Sequence, residues 1–151
     1  MIRRSKPWSK LQRRLYNIIS DDIDLQIHCV VYPMNSNYGS TGLPRYFITL
    51  DKEIIWDYPA DFVKAGNHTE MDYEYPYNTE VSEISDLIEE YINTPGKDLT
   101  DMVFENDRWG LTDILKASDR RVGKRRLEVL KRSLKSEAAN IIINKRYNSL
   151  L

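Results

Sequence analysis

Cysteine is almost missing from this chain: Cys29 is the only one in 151 residues. A lone thiol cannot close an internal disulfide, which excludes a disulfide-stapled secreted scaffold and fits a reducing compartment, the cytoplasm by expectation. Two histidines and one cysteine are also too few for a structural zinc site, which takes four such ligands. No apolar stretch approaches the roughly 20 residues of a membrane-spanning helix, so no membrane partner is expected. The phosphate-loop spacing G-x-x-x-x-G-K-[ST] does not occur, no other catalytic or cofactor motif stands out, and no cofactor is expected. There is no internal repeat and no low-complexity tract. The first residues, MIRRSKPWSKLQRRLYNIIS, start positive but lack the unbroken apolar stretch and small-residue cleavage site of a secretory signal. Their arginines suit an amphipathic transit peptide, and their apolar positions suit a docked first helix equally well.

What is present is an ordinary globular composition, 41% hydrophobic and 30% charged. That excludes intrinsic disorder and predicts one domain over residues 1–151 with a sizeable core. Charge, however, is sorted. Residues 1–14 hold six Lys/Arg and no acid, residues 116–146 hold eleven Lys/Arg against three acids, and residues 15–115 hold five bases among twenty acids. The net charge of -1 hides this asymmetry. Either the basic ends fold onto the acidic middle, or one of these faces awaits an oppositely charged partner.

Apolar spacing outlines the elements. Trp8, Leu11, Leu15, Ile18 and Ile19 share one stripe of a helix over 8–19, with Pro7 near its start and Arg13 and Arg14 turned away. Residues 25–32 alternate as a strand, with Leu25, Ile27, Cys29 and Val31 on one side. The stretch PMNSNYGSTGLP reads as a long loop or wide hairpin. Residues 45–50 and 53–58 are β-branched and aromatic, and Asp51-Lys52 between them is a two-residue hairpin, although a weaker turn pair than Asn-Gly. Residues 59–81 read as irregular. Ile84, Leu87, Ile88, Tyr91 and Ile92 form a helical stripe ended by Thr94-Pro95-Gly96. Three further helices are marked by Leu111/Ile114/Leu115, Leu127/Leu130/Leu134 and Ala138/Ile141/Ile142. Strands followed by helices predict an α+β fold: an N-terminal helix, a three-stranded antiparallel sheet, and a helical C-terminal half packed on one face. The Ile141–Ile143 run and Leu150-Leu151 either close the core or form a dimer seam.

Several constellations carry possible chemistry. Acids interleave with aromatics in D-Y-P-A-D-F (57–62) and D-Y-E-Y-P-Y (72–77). Tyrosine buries a large rigid area at low entropic cost, so Asp57, Tyr58, Asp61, Asp72, Tyr73, Glu74, Tyr75 and Tyr77 are the expected grip on a basic protein partner. Between Leu115 and Leu127, Val122 is the only large apolar residue, so this basic tract is expected to face water or a partner. If the tract is helical, Arg121, Arg125, Arg132 and Lys135 lie along one side. Nucleic acid bound through Arg120, Arg121, Lys124, Arg125 and Arg126 is therefore the alternative. Gly123 is misplaced for the turn of a helix-turn-helix. His28 and Cys29 are adjacent on a strand and point to opposite faces, so they form no nucleophile–base dyad, and Cys29 reads as a core thiol. A hydrolase would need His28 or His68 to converge with a carboxylate. In extended form His68, Glu70, Asp72 and Glu74 share a side, a pattern common in acidic loops, and no metal is assigned to it. The loop Asn35–Arg45 has glycines and hydroxyls but leads into no helix, so it lacks the amides of a phosphate site.

The texts WSKLQRRLY (8–16), IIWDYP (54–59) and WGLTDILKASDRRVGKRRL (109–127) together resemble a family of small uncharacterised bacterial proteins, over nearly the whole chain. The resemblance implies a stand-alone bacterial cytosolic protein and carries no activity or catalytic residues. The functional expectation is a non-enzymatic binding or interaction protein using the acidic, Tyr-rich middle. An immunity-type protein that neutralises a toxin would have this size and charge, by analogy only.

Overall fold

Leu11 and Leu15 face the core from the first helix, α1 (Trp8–Tyr16), one turn apart on the stripe that their spacing predicts. The computed structural model describes residues 8–36, 39–58, 78–107 and 109–150. After α1 the chain forms β1 (Leu25–Ser36), β2 (Gly39–Leu50) and β3 (Glu53–Tyr58), then α2 (Asn78–Asn93) and a 3-10 turn at Gly96–Asp98. The helices α3 (Leu111–Ser118), α4 (Lys124–Ser133) and α5 (Glu137–Leu150) follow. The sheet is antiparallel in the order β1-β2-β3, so the fold is α+β as the pattern predicts. Helix α1 stops at Tyr16, and Ile19 instead bridges to Asp119. Among the described residues no helix is long and apolar enough to cross a membrane.

The strand ladder runs further than the Pro/Gly/Ser-rich text suggests. Pairing continues to Ser36↔Gly39, through Pro33↔Gly42 and Val31↔Pro44. The free edge explains why both prolines fit. The Ile27 amide and carbonyl bond to the Tyr16 hydroxyl and the Gln12 carboxamide, so Ile27 and every second residue of β1 turn their backbone groups away from β2. Pro33 falls on that outward row, and Pro44 falls on the matching row of β2, beyond the end of β3 pairing at Tyr46↔Tyr58. Neither missing N–H removes a β1–β2 bond. Gln12 and Tyr16 also cover part of the β1 edge, which would otherwise present unpaired backbone.

One sheet face carries Ile27, Tyr46 and Ile48, all 0% exposed, and packs against α1 and α2. Each such side chain contributes about 1.5–3 kcal/mol on burial. Trp8 meets the Tyr46 ring edge-on at 5.2 Å, and the Tyr46 hydroxyl pairs with that of Ser85. Ile142 and Ile143 are buried while Ile141 is exposed, so this run closes the core.

Candidate functional site

Helix α2 buries Ile84, Leu87, Ile88 and Tyr91, and the positions beside that stripe, Glu83, Asp86 and Glu90, reach the surface together at its edge. Across from them, the turn before α3 is fixed by Asp107. Its carboxylate accepts the amides of Trp109 (3.1 Å), Leu111 (3.1 Å) and Thr112 (2.8 Å), and the Thr112 hydroxyl. Gly110 supplies the left-handed backbone, φ 71°, that brings the chain into α3. This turn carries Glu105, Asn106 and Trp109. The two walls enclose a cleft of about 430 Å³ whose described lining is four acidic side chains, Leu87, Asn106 and Trp109, with no Lys, Arg or His among the described residues. Trp109 is held from behind: its carbonyl accepts the Trp56 indole N–H at 3.0 Å, and the Tyr58 ring stands edge-on to it at 5.9 Å.

Tyr58 therefore supports the cleft, while Asp57, its neighbour, turns to the other sheet face. There Arg45 grips Asp57 with two bonds, Nε to Oδ1 at 2.8 Å and Nη2 to Oδ2 at 3.1 Å. The Arg45 guanidinium also lies 4.4 Å over the Phe47 ring. Asp61, His68, Asp72, Tyr73, Glu74, Tyr75 and Tyr77 lie outside the described residues. On the same face His28 stacks on Phe47 at 4.7 Å. The cross-strand order is His28, Phe47, Asp57, so Phe47 stands between the imidazole and that carboxylate. Cys29, on the core face, has its thiol pushed up by burial, against a smaller opposing effect of the Tyr46 hydroxyl. That keeps it protonated and a poor nucleophile. Among the described residues no three His, Cys, Asp or Glu side chains gather as metal ligands.

A model of the SF0329 protein family matches residues 7–147. The chain belongs to that family. No curated protein and no solved structure matches it.

The basic tract of this SF0329-family chain divides into cations held inside the fold and cations left outside. It is not one helix, because Arg121 precedes α4 and Lys135 follows it. Nor does most of it face water: Ala117, Ser118, Asp119 and Val122 are all buried. Polar pairing makes that burial possible. Asp119 accepts the Tyr91 hydroxyl (2.7 Å), the Arg121 amide (2.8 Å) and the Arg121 guanidinium (2.7 Å from Nη2). Arg121 also donates to the Thr94 carbonyl, and Arg126 to the Gly96 carbonyl at 2.7 Å. Arg146 comes up from α5 and donates to the Ala117 carbonyl in the last turn of α3 and to the Asp119 and Val122 carbonyls in the connection to α4. Lys116 donates to the Met102 carbonyl. By contrast, Arg120, Lys124 and Arg125 are exposed.

The spacing of acids along α2 was open to reading from sequence, at the edge of a clear apolar stripe. Their convergence with Glu105 and Trp109 depends on how the turn before α3 packs against α2, and no local pattern announces it.

Proposed function

We propose that this chain is a non-enzymatic protein-binding module of the bacterial cytoplasm, and that the cleft between α2 and Trp109 takes a Lys- or Arg-bearing segment of a basic protein. The observation that carries this reading is the lining: four acidic side chains and an indole around about 430 Å³, with no cation among the described residues that line it. That volume lies in the range of clefts that hold a ligand segment. A Lys or Arg head entering it meets opposite charge from both walls and, over an indole face, a cation–π contact of about 0.5–1 kcal/mol at an exposed site. The same field speeds encounter with a basic partner and disfavours acidic ones. Leu87 and Trp109 offer the aliphatic stem of such a side chain an apolar surface.

The test is titration of the purified chain with a labelled arginine hexapeptide and a glutamate hexapeptide at low salt. The arginine peptide is expected to bind, to quench Trp109 fluorescence, and to lose about tenfold or more in affinity in an Asp86→Lys/Glu90→Lys variant. Absence of binding at low salt, or equal binding to the charge-reversed variant with an unchanged melting temperature, overturns the reading.

A further inference from the structure

The cations that the fold does not use are concentrated on α4 and its flanks. Lys116, Arg121, Arg126 and Arg146 are engaged by backbone carbonyls or Asp119. Lys124, Arg125, Arg132 and Lys135 are exposed and form no ion pair among the described residues. On α4, Leu127 and Leu130 are buried, and Arg125 and Arg132 lie two turns apart on the opposite, outward ridge, about 10 Å from one another at 1.5 Å per residue. Val129, 53% exposed, lies between them.

This placement works against the helix itself. The first turn of α4 has no acidic residue, and Gly123 supplies no side-chain cap, while Lys124, Arg125 and Arg126 put three positive charges at the positive end of the helix dipole. Arg126 has an internal partner; among the described residues Lys124 and Arg125 have no ion pair that offsets the repulsion.

Beside the ridge, α4 and α5 border a groove of about 620 Å³ lined by Glu128, Lys131, Arg132, Asn144, Tyr147 and Asn148. The Lys131 ammonium lies 5.8 Å over the Tyr147 ring, and the Tyr147 hydroxyl donates to the Lys124 carbonyl, which fixes the ring in the groove. Two carboxamides and a ring are groups that meet unpaired bases by hydrogen bonding and stacking, and the flanking cations meet a phosphate backbone. We propose that the outward ridge of α4 and the α4–α5 groove bind single-stranded nucleic acid. Arg125, Arg132, Lys124 and Lys131 contact phosphates, and the groove receives bases. Among the described residues that line the groove Glu128 is the one carboxylate, and it opposes the ligand. The proposal is independent of the acidic cleft, which lies on α2 and the turn before α3.

The experiment is fluorescence anisotropy of labelled mixed-sequence single-stranded RNA and DNA with the full chain, across a salt series. With four phosphates neutralised, log K is expected to fall with log[salt] at a slope of about −3, which is roughly fiftyfold between 50 and 200 mM. Arg125→Glu/Arg132→Glu is expected to reduce affinity by more than about tenfold and to flatten that slope. Glu128→Gln is expected to raise affinity, a gain that no loss of folding can imitate. No binding at 50 mM salt, or affinity unchanged in both variants, overturns the proposal. Tighter binding to duplex DNA overturns the single-strand assignment. Full competition by millimolar inorganic phosphate reassigns the surface to small anions and overturns it as well.

Discussion

The Tyr91 hydroxyl donates a 2.7 Å hydrogen bond to the carboxylate of Asp119, which is 1% exposed. Tyr91 belongs to α2 and Asp119 to the connection between α3 and α4, so this bond ties the acidic wall of the cleft to the basic half of the chain. Asp119 also holds Arg121, and its backbone carbonyl accepts from Arg146. Removing the carboxylate charge leaves the half-buried Arg121 guanidinium without its anion and takes the nearby negative charge from the buried Arg146. Asp119→Asn is expected to lower unfolding free energy by about 3–5 kcal/mol, the cost of breaking a buried pair. Tyr91→Phe is expected to cost about 1.5–3 kcal/mol, since the bond it removes ends on a charged group. Urea denaturation of both variants checks this, and losses under 1 kcal/mol for both would refute the hub.

Alkali probes the same region. Burial pushes the Tyr91 phenol well above its ordinary range, and the Asp119 carboxylate adds to the effect. Burial raises Tyr46 in the same direction, with Cys29 a lesser cause. In the unfolded chain a tyrosine ionises near pH 10. Below that pH both states keep the proton and the stabilisation is fully present. Above it the unfolded state releases protons that the folded state retains, so stability falls as pH rises toward the folded-state values. Two of the ten tyrosines are therefore expected to show tyrosinate absorbance only as the chain unfolds. Phe at either position is expected to flatten the alkaline loss of stability. Complete tyrosine titration before any loss of helical signal would contradict this.

Two ion pairs of similar length differ sharply in expected weight. Arg45 and Asp57 have side chains only 7% and 13% exposed, while Lys145 and Asp51, 2.6 Å apart, are 49% and 46% exposed. Water already solvates the second pair, and ordering two long side chains offsets most of its attraction. Lys145→Met is expected to leave the denaturation midpoint at the wild-type value. Asp57→Asn removes the charge that the Arg45 guanidinium grips with two bonds and is expected to cost about 1.5–3 kcal/mol. Because Asp57 faces away from Trp109, the same variant is expected to bind the arginine hexapeptide as the wild type does once folded. Loss of that binding without loss of stability would place Asp57 on the partner surface instead.

Period carried most of the fold into the sequence. The stripe Leu11–Leu15, the alternation in β1 and the apolar triads of α3, α4 and α5 each report a local geometry that needs no knowledge of neighbours. The extent of the β1–β2 ribbon did not show, because Pro33 and Pro44 are tolerated only on free edges and edge status is a tertiary property. The basic tract was legible in composition but not in use. Ser118 and Asp119 look solvent-facing by residue type. Ser118 comes inside with its hydroxyl on the Leu115 carbonyl and its own carbonyl accepting the Ser20 amide, and Asp119 with Tyr91 and Arg146, both distant in sequence, among its partners. The cleft followed the same logic: Asp86 and Glu90 were readable as an exposed edge of α2, whereas Glu105 and Trp109 arrive by packing.

The turn between β2 and β3 offers a clean gain. Asp51 and Lys52 both have positive φ, 51° and 71°, the backbone of a two-residue type I′ hairpin turn that matches strand twist. The Asp51 amide also bonds to the Asp24 carbonyl at 3.0 Å, which anchors the turn to the chain before β1. Aspartate tolerates the left-handed region, but a lysine there crowds its Cβ against the backbone at roughly 1–2 kcal/mol. Glycine removes that strain and gives back part of the gain through a more flexible unfolded chain. Lys52→Gly is accordingly expected to stabilise by about 0.5–1 kcal/mol. Asp51→Val, which puts a β-branched residue at positive φ, is expected to destabilise by more than that. Urea midpoints that move in the opposite order would show that the Lys52 side chain contributes more to this hairpin than its backbone costs.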